Sequence, residues 1–206
     1  MLNPARLLLL AATGLGTSAV ADPGDFDGFG LRVFAGAAMV ASNREVSGEP
    51  DATATDSRLW GLAVSYAEEI APDWYLGGEF GVQQMLMVDD EAFDGKNVFA
   101  ADETEIFSMR ATLGRRFEEK FLAYGAVGYE YWNLAYFEND TDTIRYEDIS
   151  GLSLGFGTEY LVRPQHAVGF EIKHSWFGRS PEYGMFDPVS VAPENTQIAV
   201  GYRYRF

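Results

Sequence analysis

Nine residues at the carboxyl end, Ile198-Ala199-Val200-Gly201-Tyr202-Arg203-Tyr204-Arg205-Phe206, put the tightest limit on what this chain folds into. Successive side chains of an extended strand alternate between faces. Ile198, Val200, Tyr202, Tyr204 and Phe206 therefore share one side, and Ala199, Gly201, Arg203 and Arg205 share the other. Large apolar groups lie opposite two arginines. In a small soluble barrel one set is misplaced, because either the arginines enter an apolar core or the rings face water. In a barrel that spans a membrane, the rings meet lipid and the arginines meet a polar lumen.

The rest of the chain repeats this alternation. Eight strands are expected at 29–41, 57–68, 74–88, 104–117, 120–136, 149–162, 166–177 and 195–206. Each reaches or exceeds the roughly 9–11 residues a tilted strand needs to cross a bilayer. Trp60, Leu62, Val64 and Tyr66 oppose Gly61, Ala63 and Ser65. Leu76, Phe80 and Val82 oppose Gly77, Glu79, Gly81 and Gln83. The same pattern sets Phe107 and Met109 against Ser108 and Arg110, Leu152, Leu154 and Phe156 against Ser153, Gly155 and Gly157, and Phe170 and Ile172 against Glu171 and Lys173. The fifth strand, through Tyr124-Gly125-Ala126-Val127-Gly128, carries small and large residues on both faces. Its register is left open by the residues themselves. Placing Val127, Tyr129 and Tyr131 outward turns Glu130 inward.

The connections are sorted by length. Those after the second, fourth and sixth strands are short: 69–73, 118–119 and 163–165. Those after the first, third, fifth and seventh are long: 42–56, 89–103, 137–148 and 178–194. A barrel with short turns on one side of a membrane and long loops on the other has this arrangement. A soluble meander has no reason to adopt it. Trp74 with Tyr75, Tyr131 with Trp132, Trp176, Tyr202 and Tyr204 stand near strand ends, where girdles are expected at the two interfaces.

An inward set follows from the alternation: Arg32, Glu79, Arg110, Arg116, Glu130, Glu159, Glu171, Lys173, Arg203 and Arg205. An eight-stranded barrel has room for side chains and little else. Buried charges are costly unless paired and hydrogen-bonded. The expectation is an interlocked network in which the four glutamates meet the arginines and Lys173, which plugs the barrel. A narrow ion path through the same groups is the alternative.

The ending resembles the C-terminal signal of bacterial outer-membrane β-barrels, a polar residue, then Gly, then two aromatic or apolar residues at alternate positions. Gly201, Tyr204 and Phe206 match, while Ala199 stands where a polar residue is usual. Strands, loops and ending together resemble the small OmpA/OmpX-type outer-membrane barrel family. The resemblance implies an all-β, eight-stranded, antiparallel up-and-down transmembrane β-barrel in the outer membrane of a Gram-negative bacterium. It implies contact with outer-membrane lipid and lipopolysaccharide, recognition of Gly201, Tyr204 and Phe206 by the barrel-assembly machinery, and no cofactor. The peptidoglycan-binding domain that follows the barrel in OmpA is not expected here.

The amino end fits export. Arg6, the run Leu7-Leu8-Leu9-Leu10-Ala11-Ala12 and the small-x-small site Ala19-Val20-Ala21 read as a cleaved signal peptide over 1–21, with the barrel domain over 22–206. No cysteine occurs, so closure of the sheet must supply the stability that disulfides give other exported chains. A formal charge of −16 argues against nucleic-acid binding.

Much of the acid lies in the long connections: Glu45, Glu49, Asp51 and Asp56; Asp89, Asp90, Glu91, Asp94, Asp102 and Glu103; Glu138, Asp140, Asp142, Glu147 and Asp148. Beside phosphate-rich lipopolysaccharide such acids suit bridging divalent cations, although no formal calcium loop is present. Phe93, Val98, Phe99, Phe137, Tyr183, Met185 and Phe186 give the same segments apolar contact points.

The two histidines, His166 and His174, are the only sources of an imidazole base. His174 and Ser175 are adjacent on a strand and point to opposite faces, so they form no dyad. The expectation is therefore a non-enzymatic barrel with a structural or surface-interaction role carried by acidic external loops. A narrow channel for ions or small solutes is the runner-up, and a lipid-modifying enzyme or a soluble lipocalin-like barrel comes behind it.

Overall fold

The computed structural model describes residues 26–46, 49–87, 103–137, 144–178 and 189–206. Eight strands follow one another: β1 (Gly28–Val46), β2 (Glu49–Ala71), β3 (Trp74–Met87), β4 (Glu103–Phe117), β5 (Phe121–Phe137), β6 (Ile144–Arg163), β7 (His166–Phe177) and β8 (Val189–Arg205). Each pairs antiparallel with its neighbours in sequence, and β1 pairs with β8, which closes the barrel. Closure removes the sheet edge where all eight strands run side by side, so strand N–H and C=O groups there find ladder partners without water. No helix among the described residues is long and apolar enough to cross a membrane; the crossing is made by strands.

Three tight turns lie at one end. The β2–β3 turn places Asp73 at φ 66°, the β4–β5 turn Glu118 at φ 56°, and the β6–β7 turn Gln165 at φ 68°. A non-glycine residue in this left-handed region needs local support. Asp73 has it, since its N–H donates to Glu69 Oε1 at 2.7 Å.

At the opposite end the expected limits fall short. β1 and β2 continue as a ladder to the pair Val46↔Glu49, so most of 42–56 is strand. β6 begins at Ile144 and β8 at Val189, and β8 pairs with β1 up to Val46↔Val189. The β8–β1–β2 sheet thus extends well past the length a bilayer requires. Beyond lipid, a strand has no lipid-facing side, so its sequence loses the alternation on which the expected limits depended.

The barrel is inside out relative to a soluble one. Met109 and Phe156 on the outer face are 67 % and 65 % exposed, whereas Glu130 in the lumen is 0 % exposed. On β5, Val127, Tyr129 and Tyr131 face outward and Glu130 faces inward, the orientation chosen above. Phe29, Leu31 and Val33 of β1 and Ile198, Val200 and Tyr202 of β8 continue the apolar outer band.

The girdle reading needs correction at two positions. Tyr75 and Trp132 are buried inside the barrel, against Phe26 and Phe177 respectively. Each neighbours an outward ring, Trp74 or Tyr131, and strand parity sends the second ring of an adjacent pair inward.

The lumen is layered. Toward the tight turns, Phe26, Tyr75, Leu122, Tyr124 and Leu161 form one apolar cluster with small alanines. Toward the opposite end, Val40, Leu59, Met85, Ile106, Trp132, Ile149 and Phe177 form another. Charged groups fill the space between.

Candidate functional site in the lumen

Register decides which charges meet. Glu79 lies directly across from Arg110 on the β3–β4 ladder. Arg32 lies directly across from Arg203 on the β1–β8 ladder. Two like charges at such a pair repel, and the structure answers by placing carboxylates between them. Arg203 donates from Nη2 to Glu79 Oε2 at 2.7 Å and from Nη1 to Ser65 Oγ at 2.8 Å. Arg32 donates from Nη1 to Glu171 Oε2 at 3.1 Å and stands 3.6 Å from Glu79 Oε1.

Arg110 links both carboxylates. Its Nη1 donates to Glu171 Oε1 at 2.6 Å, and its Nη2 donates to Glu171 Oε2 at 3.1 Å and to Glu79 Oε1. The planar guanidinium suits this two-sided grip better than an ammonium would. Tyr124 adds an O–H donor to Glu171 Oε2 at 2.7 Å. Small residues make room: a Cβ at Gly128 would stand 2.7 Å from Arg110 Cγ, and one at Gly157 would strike the Tyr124 ring.

Two satellite groups flank this centre. Toward the tight turns, Glu159 takes Arg205 Nη2 and lies 3.0 Å from Arg203 Nε. The Arg205 guanidinium sits 5.0 Å over the Phe26 ring. On the other side, Glu130 accepts from Lys173 Nζ and, at 2.8 Å, from Ser175 Oγ. Lys173 also reaches Gln83 Oε1 at 3.3 Å.

Arg116 belongs elsewhere. It was expected in the network, but it lies at the tight-turn rim with its side chain 25 % exposed, and its Nε donates to Asp73 Oδ1 at 3.0 Å. Its parity is inward, yet its place at the end of β4 takes it out of the belt. The remaining nine of the ten inward residues face the lumen, among them Glu79, Glu130, Glu159 and Glu171 with their cations.

Sequence reasoning missed the neutral partners Ser65, Tyr124 and Ser175, and it missed both apolar layers. A signal for the upper layer was present. Leu59-Trp60, Met85-Leu86, Ile106-Phe107, Tyr131-Trp132 and Trp176-Phe177 are adjacent apolar pairs near the same end of five strands. Parity forces one member of each pair inward.

The histidines stay outside the lumen network. His174 is on the outer face, with Nδ1 2.8 Å from Thr196 Oγ1 and Nε2 3.7 Å from Glu194 Oε2. Ser175 faces the lumen and is fully buried. The Thr196–His174–Glu194 order is that of nucleophile, base and carboxylate. However, the continuous β7–β8 ladder takes the backbone N–H groups that a developing oxyanion would need. His166 Nδ1 meets the Tyr202 hydroxyl at the tight-turn end.

At the carboxyl end, Gly201 packs beside Arg32, and Tyr204 contacts His166 and Phe206 edge-on. The Phe206 N–H donates to Phe29 O at 2.9 Å. The expected signal peptide lies outside the described residues. So do Asp89, Asp90, Glu91, Asp94, Asp102, Glu138, Asp140 and Asp142, together with Phe93, Val98, Phe99, Tyr183, Met185 and Phe186. Among the described residues, no three His, Asp or Glu side chains gather to hold a metal.

A closed, eight-stranded barrel with lipid-facing rings and a charged lumen defines a membrane β-barrel of the outer-membrane class. The family model described as "Outer membrane protein beta-barrel domain" matches residues 7–206, and the chain belongs to that family. No curated protein matches the chain significantly.

Among solved structures it is similar to Neisserial surface protein A, at 12 % identity and TM-score 0.54, covering 85 % of this chain and 97 % of that one. It is also similar to Ail, the attachment invasion locus protein of Yersinia pestis, at 17 % identity and TM-score 0.45, covering 85 % and 98 %. OprG from Pseudomonas aeruginosa matches at 14 % identity and TM-score 0.44, covering 90 % and 100 %. The likeness to the Neisserial protein is one of fold.

Proposed function

We propose that this protein is a closed envelope barrel of the Gram-negative outer membrane, exported with a cleaved leader, that acts through its external surface rather than through its lumen. One observation carries this reading: the lumen is filled across its width by an ion-paired belt between two apolar layers. Beside the belt, the cavity at Gln83, Lys173 and Gln197 has a volume of only about 10 Å³. That is room for about one water molecule, not for a continuous file.

The external side is where the chain spends its extra length. The β8–β1–β2 ladder rises past the lipid-facing band, and the acid-rich stretches of the sequence join strand ends on that side. Those acids suit divalent cations shared with lipopolysaccharide phosphates. Gly201, Tyr204 and Phe206 serve as the signal read by the barrel-assembly machinery. No catalytic role is assigned.

Planar-bilayer recording tests the reading. The purified barrel is expected to give no discrete conductance steps in monovalent salt. Steps that disappear on charge reversal at Glu171 would make it a narrow channel instead.

A further inference from the structure

We propose that Arg115, on the outer face at the tight-turn end, holds the phosphodiester of one glycerophospholipid of the periplasmic leaflet, with an acyl chain of that lipid running over Gly125 toward the middle of the bilayer. The inference rests on the outer-membrane reading given above. The strand parity that turns Arg110 and Arg116 inward turns Arg115 outward, in line with Met109, Leu113 and Phe117.

The strand neighbours of this charge are all apolar. Along β4 the flanking residues on the same face are Leu113 and Phe117, and directly across the two ladders stand Trp74 and Ala123. The diagonal positions are Leu76, Gly125 and Phe121. Among the described residues, the partners of Arg115 are two rings, with the guanidinium 5.7 Å from the Trp74 centroid and 5.5 Å from that of Phe117. The rim acids are engaged or set apart. Asp73 accepts from Arg116 Nε at 3.0 Å, and Glu69 accepts from the Asp73 N–H at 2.7 Å. Glu118 and Glu119 lie beyond Phe117 in the turn, and among the described residues no ion pair joins either to Arg115. Arg58, the outward arginine toward the opposite end, differs, because Asp56 shares its face on the same strand.

A guanidinium keeps its charge at every accessible pH and presents its N–H donors in one plane. Rings attract the charge but accept no hydrogen bond at the edge of that plane, where a phosphate is gripped by two parallel bonds. The girdle sets the depth. Interfacial aromatic rings sit at headgroup level, where phosphates are the abundant acceptors. The groups beside the arginine then select a lipid over a free phosphate. On the side away from the turns come Leu113 and Gly125, which face each other across the β4–β5 ladder. A Cβ at Gly125 would meet only the Phe156 ring, at 3.8 Å, so a shallow apolar strip leads from Arg115 toward the bilayer centre. Charge at the rim and apolar surface toward the midplane is the polarity of a lipid in that leaflet.

The barrel, purified in detergent micelles, is titrated with dioleoylphosphatidylglycerol or with dioleoylglycerol, which lacks the phosphate, and bound lipids are counted by native mass spectrometry. One phosphatidylglycerol is expected to bind ahead of the rest, with no such first step for dioleoylglycerol. Arg115→Gln should weaken that first step about tenfold, the effect of losing one charged hydrogen-bonding partner. Arg58→Gln should leave it unchanged.

Arg115→Lys keeps the charge without the planar fork. It serves the same comparison, with a smaller loss expected, if the glutamine variant does not fold. Equal binding of the two lipids, an unchanged first step in Arg115→Gln, an equal loss in Arg58→Gln, or displacement of the lipid by free glycerol phosphate at the same concentration would each overturn the proposal. Conductance plays no part in this test, so its failure and that of the closed-barrel reading remain distinct.

Discussion

The belt around Arg110 and Glu171 and the layer around Trp132 and Phe177 fill successive slices of the same tube, yet unlike forces hold them. In the belt, each group depends on particular partners at particular distances. Glu171 alone bonds three residues from β1, β4 and β5. In the layer, all eight strands contribute apolar side chains whose contacts are non-directional. The belt therefore specifies which strands face one another, while the layer excludes water. A one-residue slip of any strand would invert its faces, and in the belt it would send a charge into lipid.

The sharpest way to break this comparison is to remove the shared cation. Arg110→Met keeps much of the side-chain volume but leaves Glu79 and Glu171 short of a partner. Breaking a buried ion pair on one side costs about 3–5 kcal/mol. That loss should appear in urea unfolding of the barrel in lipid vesicles. Arg32 and Arg203 remain within reach of these carboxylates and temper the loss.

Phe177→Leu is the matching change in the layer. It removes part of a ring that packs on Trp132 at a centroid distance of 5.0 Å. The replacement stays apolar and neighbours can shift into the space. A cost of about 1–2 kcal/mol is expected in the same assay. Equal losses in the two variants would mean that the belt contributes packing only, and that its charges set no register.

The outer face was legible from sequence because lipid imposes a strict period on every strand that crosses it. Val127, Tyr129 and Tyr131 could be oriented by the single argument that Glu130 cannot face lipid. The lumen was half legible. Parity gave the facing of Glu79, Arg110, Glu171 and Lys173, but partner choice depends on stagger around the barrel, which no single strand encodes. Arg116 shows this limit, since its inward parity is real while its height along the axis puts it beside Asp73. Tyr75 and Trp132 show the converse. Their ring type suggested an interface, and position within an adjacent pair decided otherwise. The strand extensions at 42–46 and 49–56 were not legible, because beyond lipid backbone pairing continues without any alternation to mark it.

The smallest effect tests the rim against the lumen. Asp148 is exposed on β6, just before the 149–162 stretch expected to cross the membrane. Its carboxyl is held below the usual aspartate range, first by a hydrogen bond from Tyr131 and then by one from Asn133, whose Nδ2 stands 2.8 Å from Oδ1. A carboxyl with a lowered folded pKa stabilises the fold fully above its unfolded pKa, and this contribution fades as pH falls through the folded one. Asp148→Asn should therefore be slightly less stable than the parent at neutral pH, with the gap closing on acidification. Because water and salt screen so exposed a group, the gap should be well below that of Arg110→Met. Paired unfolding curves at neutral and acid pH measure it. A gap that widens in acid would mean that Asp148 repels its surroundings rather than joining β5 to β6.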